Sequence, residues 1–99
     1  MVESKYTLRY LPKYVEDLNE IVDYIIHKLK NVTAANNFVD EVERAICKRL
    51  NNPNSFEPYQ SAKDRQHTYY RIKVKNFTIF YVVIEDVMEV RRIDLMKIV

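Results

Sequence analysis

The chain has no glycine and no tryptophan, a single cysteine and only three prolines among its 99 residues. Without glycine it has neither a phosphate-cradling loop nor a dinucleotide fingerprint, because both need a residue without a Cβ where the backbone meets the phosphate. The usual nucleotide-binding enzymes are therefore excluded. One thiol, Cys47, makes neither an internal disulfide nor a four-cysteine zinc site. The longest uninterrupted apolar run, Ile79 to Ile84, has six residues, far short of the roughly 18 that suggest a membrane span. Met1 to Lys5 has no basic-then-apolar signal pattern. These absences predict one reduced, cytoplasmic domain with no metal, no cofactor and no membrane contact.

The lack of glycine also predicts where left-handed backbone falls. Asn and Asp tolerate it best among the remaining residues, and Asn stands at the seams of the pattern as Asn31, Asn51, Asn52 and Asn76.

Hydrophobic residues at 47% and charged residues at 30% are the balance of an ordinary folded domain. The net charge of +2 is unevenly spread: residues 1–59 carry −1 and residues 60–99 carry +3. The steepest stretch, 63–75, sets Lys63, Arg65, Arg71, Lys73 and Lys75 against Asp64 alone. Such a run suits phosphate partners, although a solvated surface accounts for it equally well.

Tyr6 to Tyr10 alternates and reads as a strand. Pro12 suits the first turn of a helix, and Leu18, Ile21, Val22, Ile25 and Leu29 then recur at helical spacing. Asn31 is a candidate left-handed cap. Thr33 can open a second helix whose apolar face is Ala35, Phe38, Val42, Ala45, Ile46 and Leu50, ended by Asn51-Asn52-Pro53. Three strands follow at about Thr68–Val74, Phe77–Ile84 and Val87–Ile93, separated by the two-residue turns Lys75-Asn76 and Glu85-Asp86. The predicted fold class is α+β, in the order β-α-α-β-β-β. A helical hairpin packs on one face of a four-stranded, mostly antiparallel sheet in a single domain over residues 1–99.

Two-residue turns also set an expected register. Tyr70, Ile72, Val74, Phe77, Ile79, Tyr81, Val83, Met88 and Val90 share the helix-covered face. Arg71, Lys73, Thr78, Phe80, Val82, Glu89 and Arg91 share the other, with Lys73 across from Thr78 and with Arg71 and Arg91 flanking Phe80. Cations around an exposed ring are what single-stranded RNA needs, phosphate clamps beside a stacking platform. Alternating charge on an open sheet face is equally the ordinary device for solubility. His67, at the mouth of the basic strand, is a weaker acid–base candidate. His27 and Cys47 read as structural or solvent-facing.

The run Tyr69-Tyr70-Arg71-Ile72-Lys73-Val74-Lys75-Asn76-Phe77-Thr78-Ile79-Phe80-Tyr81-Val82-Val83 resembles the central hairpin of RelE/ParE-type toxins. Asp17 to Ile25, Ala34 to Phe38, Asn52-Pro53, Phe56 to Tyr59 and Val90 to Ile93 continue the likeness over roughly residues 5 to 94. The resemblance implies the toxin of a type II toxin–antitoxin module, a class associated with plasmid stabilization, neutralised by a cognate antitoxin. RelE-like members are mRNA interferases, endoribonucleases that cut mRNA on the ribosome without a metal, whereas ParE-like members poison DNA gyrase. Metal-free cleavage requires a base for the 2′-hydroxyl, cations at the phosphate and an acid for the leaving oxygen. Carried over by position, Lys73 is the base or phosphate clamp and Arg71 binds phosphate. Arg91 stands near enough to supply a further catalytic cation, and Lys75, Phe80, Lys97 and His67 are RNA-binding candidates. Two departures stand against this pattern. Thr78 occupies the place of a typical arginine, and the segment after the last strand supplies only Lys97. Ribosome-dependent mRNA cleavage leads among the expectations. Gyrase inhibition, or a non-toxic relative that still binds antitoxin, is the alternative. The antitoxin is expected to cover the basic sheet face and an apolar groove beside the first helix.

Overall fold

The computed structural model describes residues 5–59 and 66–95. Lys63 and Arg65 of the basic run, and Lys97, lie outside the described residues. The elements are β1 (Thr7–Tyr10), α1 (Pro12–Asp23), a five-residue π turn (Tyr24–Lys28), α2 (Val32–Arg49), β2 (Tyr69–Val74), β3 (Phe77–Ile84) and β4 (Val87–Leu95). The sheet order is β1-β4-β3-β2. β1 runs parallel to β4, and the other two pairs are antiparallel. The predicted class and element order are those observed.

Pro12 begins α1, where its fixed φ and missing N–H cost nothing. The helix then widens: Leu29 N–H donates to the Tyr24 carbonyl, five residues back, the pattern of a π turn. Lys30, with φ 53°, ends it. Asn31 does not take the left-handed cap expected of it. Its side-chain oxygen accepts from Ala34 N–H at 2.9 Å and caps the start of α2, while Thr33 lies inside the helix. Left-handed backbone falls instead on Lys30, Lys75 and Glu85. Both hairpins place it at the first turn residue, and flanking strand pairing holds it there against the intrinsic preference of Lys and Glu.

The core joins Tyr14 of α1 and Phe38, Val42 and Ile46 of α2 to Ile72, Val74, Ile79, Tyr81, Met88, Val90 and Ile93 of the sheet. That sheet set shares one face by strand alternation. β3 is central and covered on both sides, as Ile79, Tyr81 and Val82 are all fully buried. The β2–β3 register matches the two-residue turn, with Arg71 opposite Phe80 and Lys73 opposite Thr78. The β3–β4 register is the expected one from Ile84↔Val87 to Tyr81↔Val90 and departs from it beyond that pair. Tyr81 pairs with Val90 but Phe80 pairs with Arg92, leaving Arg91 as the extra residue of a bulge. The ladder therefore puts Arg92, not Arg91, across from Phe80. A bulge shifts register by one residue midway through a strand, and alternation alone does not disclose it.

Candidate functional site: the sheet face and its flanks

Three rows of side chains cross the sheet on the face away from the core. In the first, Arg9 of β1, Glu89 of β4, Val82 of β3 and Tyr69 of β2 are in register. Arg9 donates to Glu89 Oε1 through Nε at 2.9 Å and Nη2 at 2.7 Å. Arg91 donates to Glu89 Oε2 through Nε at 2.8 Å and to the Tyr69 hydroxyl through Nη1 at 3.0 Å. Arg91 thus spans the row across Val82. Glu89 is only 5% exposed. Burial pushes its carboxyl up, but the hydrogen bonds from Arg9 and Arg91 outweigh that and hold it below the ordinary carboxylate value. One buried carboxylate consequently offsets one of the two arginine charges and holds both side chains in place.

The second row holds Arg71 and Phe80 and gathers Tyr59 from the segment after α2. Tyr59 N–H donates to the Tyr69 carbonyl at 2.6 Å, extending the edge of β2 by one bridge. Its ring meets Phe80 at 5.5 Å between centroids, tilted by 51°. The Arg71 guanidinium lies 4.6 Å from the Tyr59 ring centre, within cation–π range. Arg71 and Tyr59 are exposed and Phe80 is half-buried. This is a cation resting on one ring of an aromatic pair at the surface. Arg92 turns instead to α1, where Nε donates to Asp17 Oδ2 at 2.6 Å.

In the third row Lys73 is exposed and Thr78 is buried. Lys73 also borders a shallow furrow of about 300 Å³ between α2 and β2, with Arg44, Lys48 and Lys75. Lys75 lies 3.8 Å from Glu41, the one carboxylate among the furrow's described lining residues. At Lys75 the furrow meets an apolar groove of about 620 Å³, lined by Ile21, Tyr24, Ile25, Leu29, Phe38 and Phe77 among others. Tyr24 and Leu29 are more than half exposed; Tyr24 lies off the apolar face of α1, and the π turn shifts Leu29 away from it. His67 sits half-buried in the bend before β2.

The structure therefore brings Arg71 and Phe80 together and places Lys73 one row away. Lys75 and Lys73 border the furrow, and Arg91 is engaged by Glu89. Glu89 falls on the open face as the alternation predicts, whereas its pairing with Arg9, and the place of Tyr59, are not legible in the sequence. Tyr59 lies in an irregular segment with no periodicity, and the Arg9–Glu89 pair depends on which strand lies beside β4.

The sequence model of the family described as the ParE toxin of the type II toxin–antitoxin system parDE matches residues 8–97. The chain belongs to this family. No curated protein matches it. Among solved structures, it is similar to a chain of the chromosomal ParDE toxin–antitoxin system from P. aeruginosa. Identity there is 17%, with 94% of this chain and 98% of that one covered, at a TM-score of 0.72. A chain of the RelB–RelE antitoxin–toxin complex from Methanococcus jannaschii matches at 22% identity, covering 88% of each chain, with a TM-score of 0.48. The fold and the family are thus those of a type II toxin, within the RelE/ParE group that the sequence resembled. Among the described residues, no helix is long and apolar enough to cross a membrane.

Proposed function

We propose that this toxin acts by holding a macromolecular target on its sheet face, and that the target is DNA gyrase. The observation that carries this reading is the Glu89 carboxylate, buried between Arg9 and Arg91. Phosphodiester cleavage without a metal needs several cations free to meet developing charge. Here Arg91 is already tied to Glu89 and the Tyr69 hydroxyl, and a buried Thr78 stands opposite Lys73. A surface that works by binding needs no such set. Purified toxin added to gyrase in a supercoiling assay is expected to inhibit it, and undisturbed supercoiling would remove this reading.

The second reading, mRNA cleavage on the ribosome, is supported by the Arg71–Tyr59–Phe80 platform with Lys73 beside it. It predicts new 5′ ends inside translated codons on induction, lost in Lys73→Ala and Arg71→Ala. Growth arrest that survives both substitutions speaks against it.

The partner in either case is a cognate antitoxin in the same cytoplasm. The groove at Tyr24, Ile25 and Leu29 suits the apolar residues of a partner segment, and the adjoining Arg44, Lys48 and Lys73 suit its carboxylates.

A further inference from the structure

We propose that Arg49, in the last turn of α2, is the residue that positions the Arg71–Tyr59–Phe80 surface. The β2 strand is a sheet edge. Its Tyr69 carbonyl faces outward, where Tyr59 N–H binds it. By strand alternation the Arg71 carbonyl faces outward too, and an edge carbonyl needs a donor from another element. Arg49 supplies it: Nη1 donates to the Arg71 carbonyl at 3.0 Å and to the Tyr81 hydroxyl at 2.9 Å. The same guanidinium lies 3.5 Å from the centre of the Phe56 ring. Tyr81, fully buried, donates its own hydroxyl to the Pro53 carbonyl at 2.8 Å.

One side chain therefore ties the strand that carries Arg71 to the segment that carries Tyr59. It grips that segment at Phe56 directly and at Pro53 through Tyr81. The Arg71–Tyr59 distance is set between those anchors and the Tyr59–Tyr69 bridge. Lysine substitutes poorly, because an ammonium has no planar face to lay on Phe56 and so nothing to hold its donors in a fixed direction toward the two acceptors. Arg49 itself touches no target in this account. Its effect on toxicity rests on the reading of the sheet face as the target-contacting surface, whereas its effect on geometry does not.

The test uses the full-length chain and reads the Arg71 side chain by NMR. A guanidinium on the face of Tyr59 has its Hδ and Hε resonances moved upfield by the ring. Arg49→Ala and Arg49→Lys are expected to lose most of that shift. Val42→Ala, a core truncation in the same helix, is expected to keep it despite lower stability, which separates positioning from general destabilisation. Should Arg49→Ala not fold, Arg49→Lys and Tyr81→Phe carry the measurement. An unchanged Arg71 shift in a folded Arg49 variant overturns the proposal. In cells, Arg49→Lys is expected to lose growth arrest to the same extent as Arg71→Ala. Loss of the upfield shift with full growth arrest retained leaves the positioning standing and removes the contact reading instead.

Discussion

Replacing Glu89 by glutamine tests the central electrostatic claim, because it removes one charge and little volume. Glu89 accepts two hydrogen bonds from Arg9 and one from Arg91. Charge-assisted bonds of this kind contribute about 1.5–3 kcal/mol each when buried. The Arg9 side chain is 50% exposed, so its pair of bonds is discounted to about 1 kcal/mol in total. The Arg91 side chain is 20% exposed and its bond counts for about 1.5 kcal/mol. The amide oxygen of glutamine keeps part of one bond, leaving a loss of about 2 kcal/mol. For a domain of this size that lowers Tm by about 8–16 °C. The pH dependence adds a second readout. Since the native carboxyl titrates below its ordinary 4.5, the unfolded chain takes up the proton first. The stabilisation is complete above that range and drains away as pH falls through the lowered native value. Thermal melts of wild type and Glu89→Gln should therefore differ at neutral pH and converge in acid. A Tm difference below about 2 °C at pH 7, or one that persists unchanged at low pH, would refute this account of the network.

Lys30→Gly should stabilise the chain by up to about 1 kcal/mol in urea denaturation, since Lys30 holds φ 53° at the end of the π turn. Destabilisation there would mean that the Lys30 side chain matters more than its backbone. Asp17→Asn should cost about 2 kcal/mol, because Asp17 is buried and accepts from Arg92 Nε, Arg92 Nη2 and Ile93 N–H. Chemical denaturation checks this, and a neutral result would show that Arg92 is satisfied elsewhere. Tyr24→Asp, on the exposed rim of the apolar groove, should leave Tm within a few degrees and weaken antitoxin binding at least tenfold. Calorimetric titration against the antitoxin decides it, and unchanged affinity would place the partner elsewhere.

Much of this architecture follows from local pattern. Helical spacing of apolar residues located both helices, and alternation bounded by two-residue turns placed β2, β3 and β4 to within a residue or two. The turn at Lys75-Asn76 alone determined the β2–β3 register, which is why Arg71 opposite Phe80 and Lys73 opposite Thr78 were legible in advance. Zero glycine, one cysteine and short apolar runs by themselves exclude whole classes of function. The family was legible too, because order and spacing extend along nearly the whole chain.

What the sequence could not carry was any contact between distant segments. The parallel pairing of β1 with β4 brings Arg9 to Glu89 across 80 positions, and no periodicity encodes that neighbour. The bulge at Phe80 and Tyr81 is one extra residue accommodated by the ladder, and it moves Arg92 opposite Phe80 while Arg91 closes over Val82 onto Glu89. Tyr59 reaches the surface through its bridge to Tyr69 and its ring contact with Phe80, from a segment that Arg49 and Tyr81 also touch at Phe56 and Pro53. Even the left-handed backbone fell on Lys30, Lys75 and Glu85, where strand and helix ends demanded it, rather than on asparagine. Local preferences of about a kcal/mol decide where elements begin, and tertiary packing, which is worth more, decides which charges remain available to a target.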